Sequence, residues 1–195
     1  MKNKIIEFVK KEHDRDDFDF HIMVVVKNAL KLSEITDADK EVVEIAAFLH
    51  DIGRAHGLKP SDVNKHHITS AKKAELILRD LKYPEDKIRK IVDCILSHRG
   101  NSDDFPATTL EQKIITNADA MAHFCAFLEL FKEFVTQENF QDAVKLIDAK
   151  IERDWNKKLT MPEAREMVRD KYNAIRLLLN SMKEYMTEEN YNKTD

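Results

Sequence analysis

Three glycines, Gly53, Gly57 and Gly100, are all that interrupt 195 residues. That scarcity limits the folds open to this chain more than any other feature, since average usage is roughly 7%. So few glycines cannot turn the corners of many short strands. Nor can they build the G-x-G-x-x-G turn of a dinucleotide fold or the glycine-rich loop of a P-loop protein. Helices remain, and apolar residues do recur at three- and four-residue spacing nearly throughout. Hydrophobic residues make up 43% of the chain and charged residues 35%, enough for one core under a well-solvated surface. The expectation is one all-α domain over residues 1–195.

The breaks in periodicity set the helices. A short amphipathic helix over 3–12 is followed by a turn in the Asp-rich run 14–19. Ile22 to Val26 also reads as a strand, but the apolar stripe continues through Ala29, Leu30 and Leu32, which favours a helix. Val42 to Ile52 forms an apolar helix stopped by Gly53. Helices over 67–81 and from Pro84 to about Arg99 follow, then a long one over 108–135 and another over 139–157. Thr160-Met161-Pro162-Glu163 reads as a capping box opening a last helix to Tyr185. The tail 187–195 is polar and is expected to fray. The formal charge of −4 and the lack of a Lys/Arg block argue against strong nucleic-acid binding. Two cysteines form neither a disulfide framework nor a thiolate metal site. No apolar run approaches the roughly 18 residues of a membrane span, and the charged N-terminus is unlike a signal peptide. A soluble, cytoplasmic protein with no membrane partner is expected.

The histidines carry the chemistry. His21 shares a helix face with Val25, Ala29 and Leu32; His67 with Ser70, Ala71, Ala74 and Leu78; His98 with Ile88, Ile91 and Ile95. Asp119 lies one turn after Ile115, and His50-Asp51 closes an apolar helix. Four histidines and two aspartates therefore point inward. Burying that many ionisable groups unpaired costs several kcal/mol each. A divalent cation resolves the conflict, because imidazole and carboxylate ligate Zn, Mn, Ni or Fe. Cysteine is missing from the set, which speaks against a closed structural zinc site. His13, His56 and His66 stand in polar surroundings and read as surface residues. The series Phe124, Phe127, Leu128, Phe131, Phe134 reads as packing core.

His21, then His50-Asp51-Ile52-Gly53, then Asp119 resembles the H…HD…D pattern of the HD-domain metal-dependent phosphohydrolases. The flanking Ala-Ala-Phe-Leu-His-Asp-Ile-Gly and Ala-Asp-Ala-Met agree. The resemblance covers about residues 18–135, leaving a helical extension over 136–186 that is similar to the tail of the YedJ-like branch. It implies a metal held by His21, His50, Asp51 and Asp119, with His67 and His98 matching second-metal or phosphate ligands of extended subfamilies. Asn117, Ala120 and Ala122 depart from the family by replacing charged positions.

The implied reaction is hydrolysis of a nucleotide or other small phosphate ester by a metal-activated water. One or two divalent ions (Mn, Ni, Co, Zn, Mg or Fe) serve as cofactor. Asp51 is assigned to metal bridging and catalysis, and Arg54 to catalysis and phosphate binding through its guanidinium fork. Arg99, Lys113 and His123 are further substrate-contact candidates. Two alternatives stay open: a di-iron oxygenase of the HD-domain type, which the six-ligand set accommodates, and a nucleotide-sensing module without activity. The sequence leaves the oligomeric state open, a homodimer included.

Overall fold

The computed structural model describes residues 1–54, 65–100 and 104–186, and among these every regular element is helical. Helix α1 (Lys2–Glu12) leads through a short helical turn (Arg15–Asp17) and a π-helical turn (Phe18–Ile22) into α2 (Met23–Glu34). Then come α3 (Lys40–Leu49), α4 (His66–Asp80) and α5 (Glu85–Ser97). Helices α6 (Leu110–Cys125) and α7 (Phe127–Gln137) follow. Helix α8 (Phe140–Arg153) runs into a second π-helical turn (Asp154–Lys158), and α9 (Pro162–Glu184) closes the fold. The Asp-rich run expected as a turn is thus helical: Asp14 caps it, its carboxylate accepting from the Asp17 N–H.

Helix α6 is the axis of the bundle. Every residue from Ile114 to Phe124 is buried, so its surroundings are protein on all sides. Thr109 and Gln112 form a reciprocal capping box at its start. Helices α2, α5 and α9 pack on α6, α3 lies against α2 and α5, and α4 pairs with α5. The core these faces share includes Ile22, Leu32, Ile45, Leu49, Ile91, Ile95, Ile114 and Ile115, each at most 1% exposed. No single helix among the described residues is long and apolar enough to cross a membrane.

Three further local readings are corrected. The helix expected over 108–135 breaks at Ala126, where α6 and α7 meet at 77°. The bend lays Phe127, Phe131 and Phe134 against the core, while Leu128 faces outward. The helix ending in His50-Asp51 stops at Leu49 rather than at Gly53. Gly53 serves close approach instead: a Cβ there would sit 2.5 Å from the Ser70 nitrogen of α4, and the Gly53 N–H donates to Ser70 Oγ. The capping box at Thr160 is absent. The Asn117 carboxamide of α6 accepts from the Met161 N–H and donates to Thr160 Oγ1, so a buried side chain of another helix organises that terminus.

Candidate metal centre

Four helix ends and the middle of α6 converge on one buried cluster. His21 projects from the π-helical turn before α2, His50 and Asp51 from the end of α3, His66 from the start of α4, and His98 from the end of α5. Asp119 comes from the middle of α6. A π-helical turn widens the helix by one residue, a distortion common at functional sites.

The side chains form two pockets joined by Asp51. In the first, His21 Nε2 and His50 Nε2 are 3.1 Å apart. Asp51 Oδ2 lies 3.5 Å from His21 Nε2 and 3.7 Å from His50 Nε2. Asp119 Oδ1 lies 3.7 and 3.8 Å from the same two nitrogens. In the second pocket His66 Nε2 and His98 Nε2 are 3.0 Å apart, with Asp51 Oδ1 at 3.4 and 3.5 Å. Ligands about 2.1 Å from one ion stand roughly 3.0–4.2 Å from one another, from adjacent to opposite positions, so both sets of spacings suit a cation. The Asp51 Oδ1 atom is buried and makes no hydrogen bond. An orphaned carboxylate oxygen facing two imidazole nitrogens is what a missing cation would leave.

Two of the imidazoles are oriented as metal ligands would be. His50 Nδ1 donates to the Ala47 carbonyl oxygen at 2.9 Å and His98 Nδ1 to the Ile95 carbonyl oxygen at 2.6 Å. That fixes each proton on Nδ1 and leaves a bare lone pair on Nε2. Burial pushes the His50 pKa down to about 4, keeping the ring neutral. Burial also opposes charge on His21, but Asp51 and Asp119 outweigh it and raise that pKa. For Asp51 burial works against ionisation, yet the histidines around it hold the carboxyl well below the usual range. Lys158 and the histidines do the same for Asp119.

His21, His50, Asp51, His98 and Asp119 are brought together as the spacing implied. His67 lies beside the second pocket but not in a ligand set: its ring packs edge-on against His66, His98 and Phe105, and its buried Nδ1 makes no hydrogen bond. His66, read as a surface residue, takes the place beside His98. The sequence offered no signal for this, because apolar periodicity selects residues facing the core, whereas His66 reaches sideways from the first turn of α4. His13, also read as exposed, is buried and bonded to Asp17. His56 lies outside the described residues.

Arg54 reaches Asp51 Oδ2 at 3.4 Å with one nitrogen and Glu133 of α7 at 2.8 Å with another. Arg99 is half-buried one residue after His98, and Lys113 is exposed on the first turn of α6. His123 is buried, stacked on His21, with Nε2 4.0 Å from Asp119 Oδ1 and Nδ1 2.8 Å from Asp154 Oδ2. Two residues of the second π-helical turn were missed. Lys158 places its ammonium on Asp119 Oδ2, and Asp154, fully buried, is also gripped by Arg153 and Lys150. In the sequence, Trp155 reads as a packing anchor of the C-terminal helices, and although Asp154 and Lys158 stand four apart on one helix face, nothing local says that this face turns toward α6.

Residues 18–123, more than half of the chain, match the model of the family described as HD domain. All six residues of the two pockets fall inside that span; Asp154 and Lys158 fall outside it. Over 57 residues the chain is 42% identical to the multifunctional CCA protein of Pasteurella multocida, covering 29% of this chain and 13% of that protein. An uncharacterized protein of Clostridium beijerinckii is 29% identical over 107 residues, 54% of this chain and 64% of that protein. The chain therefore spans only a small part of the CCA protein's length. The crystal structure of a predicted HD superfamily hydrolase from an uncultured Thermotogales bacterium shares the fold. Its TM-score is 0.62 at 22% identity, covering 94% of this chain and 92% of that one. With the paired His/Asp pockets lying inside the matched span, the chain belongs to the HD-domain family.

Proposed function

We propose that this protein is a metal-dependent phosphohydrolase that cleaves a nucleotide or other small phosphate ester. The observation that carries the reading is Asp51. Its two oxygens face different histidine pairs, His21 with His50 and His66 with His98. A carboxylate so placed suits two divalent ions side by side, with Asp119 Oδ1 near His21 and His50 in the first pocket. Bound there, such ions lower the pKa of a coordinated water toward neutrality and offset charge on a phosphoryl oxygen.

The chain's own residues do the rest. The backbone carbonyls of Ala47 and Ile95 hold His50 and His98 in their ligand tautomers. Arg54, anchored by Glu133 beside Asp51, presents a planar fork suited to phosphate oxygens. Phosphoryl transfer needs mainly positioning and positive charge, and the residues around Asp51 supply both.

The test is elemental analysis of protein purified without chelator, joined to turnover of a panel of phosphate mono- and diesters. Close to two ions of Mn, Ni, Co or Zn per chain with hydrolysis are expected. Replacing Asp51 by Ala removes metal and activity together while helix content by circular dichroism stays near wild type. Hydrolysis that survives in the D51A protein overturns the reading. Two irons with oxygen-dependent turnover, or no metal after reconstitution, would replace it by the oxygenase or the binding module.

A further inference from the structure

We propose that Lys158, delivered by the C-terminal extension, is the fixed cation that anchors the phosphoryl group of a doubly charged phosphate monoester at this centre. The proposal rests on the two-ion reading above and narrows its substrate class. Lys158 is 5% exposed, and its ammonium sits on Asp119 Oδ2 while Asp119 Oδ1 faces His21 and His50. The cation thus stands one carboxylate away from the first pocket.

Its placement is built by two separate parts of the chain. The π-helical turn Asp154–Lys158 ends with the Leu159 N–H donating to the Asp154 carbonyl oxygen, which directs Lys158 inward. Opposite, Gly100 follows His98 by two residues and holds φ at +69. A Cβ at Gly100 would lie 3.3 Å from Lys158 Cγ, 3.5 Å from Lys158 Cε and 2.6 Å from Thr116 Cγ2. The missing side chain makes the channel that the lysine stem fills.

A metal pocket gains nothing electrostatically from such a neighbour. An ammonium beside a ligand carboxylate repels an incoming divalent ion. Arg54 is paired with Glu133, and Lys150 and Arg153 with Asp154, so that among these cations of the described residues Lys158 alone has a ligand carboxylate of the first pocket as its sole ion-pair partner. Two ions would carry four positive charges against the two carboxylates of Asp51 and Asp119. Lys158 adds to that excess rather than cancelling it. A centre so charged favours a dianion, the state of a phosphate monoester, over the monoanion of a diester.

Calorimetry on the full chain separates these effects, with Mn2+ as the metal and inorganic phosphate, methyl phosphate and dimethyl phosphate as ligands. The K158M protein is expected to bind Mn2+ at least as tightly as wild type. Its affinity for phosphate and methyl phosphate falls about tenfold or more, as expected for a lost charge-assisted contact. K158R recovers most of that loss, and dimethyl phosphate binds more weakly than methyl phosphate to wild type. Phosphate affinity within about twofold of wild type in K158M overturns the proposal. So does loss of Mn2+ from K158M, which would make Lys158 part of the metal centre's assembly. If K158M does not fold, K158Q is read by the same criteria. Wild-type protein that binds no Mn2+ sinks the two-ion reading and this proposal together. Wild-type protein that binds Mn2+, with phosphate indifferent to residue 158, sinks the proposal alone.

Discussion

A buried imidazole is poised for a metal when its second nitrogen is already engaged, and two histidines of this protein meet that condition. His50 and His98 give their Nδ1 protons to carbonyl oxygens one turn back, so Nε2 is bare in both. His66 and His67 are neighbours in sequence, but one faces Asp51 and the other faces Phe105. The expected consequence is asymmetric. His66→Ala should lower metal content from about two ions per chain toward one, whereas His67→Ala should leave it unchanged. Metal analysis of both variants checks this, and equal losses would refute it. This pair also marks where residue-level reading of the sequence stopped. The helical row Ser70, Ala71, Ala74, Leu78 selects His67 correctly as a buried residue. Burial and ligation are different properties, and the second depends on elements far away in sequence.

At the scale of elements, the helices were legible because their apolar faces repeat, and their ends were not, because tertiary contacts decide them. Ala126 breaks α6 from α7 without a glycine or proline. The start of α9 is set by Asn117, a residue of another helix, rather than by the local Thr160 motif. Asn117 is thus a buried hydrogen-bonding hub. Asn117 also donates to the Lys113 carbonyl oxygen, so one carboxamide serves three partners. Asn117→Ala leaves the buried Met161 N–H without its acceptor, which costs about 1–3 kcal/mol. Chemical denaturation should show a loss of that size with metal content retained, since Asn117 touches neither pocket. A loss below about 0.5 kcal/mol would mean that water replaces the carboxamide.

At the scale of the whole molecule, the bundle concentrates ionisable groups where water is excluded, and its stability must follow pH accordingly. Burial lowers the pKa of His50, His67 and His123 to about 4 in each case. Unfolded, the same residues titrate near 6.5. Between those values each is neutral when folded and protonated when unfolded. Unfolding therefore takes up protons, and stability falls as pH falls, by about 1.4 kcal/mol per pH unit for each group fully in that window. His21 acts oppositely, because its raised pKa favours the folded state as pH drops toward 6.5 from above. Asp51, Asp119 and Asp154, all held far below the usual carboxylate range, extend the loss below pH 4. Metal-free protein should thus be most stable near neutrality, with its denaturant midpoint dropping steeply from pH 6.5 to pH 4. Metal-loaded protein should fall further over the same range, since protons also compete for the ligand nitrogens and release the ions. A midpoint of the metal-free protein that stays flat from pH 7 to pH 5 would refute the neutral folded state of these histidines, and with it the bare Nε2 lone pair of His50.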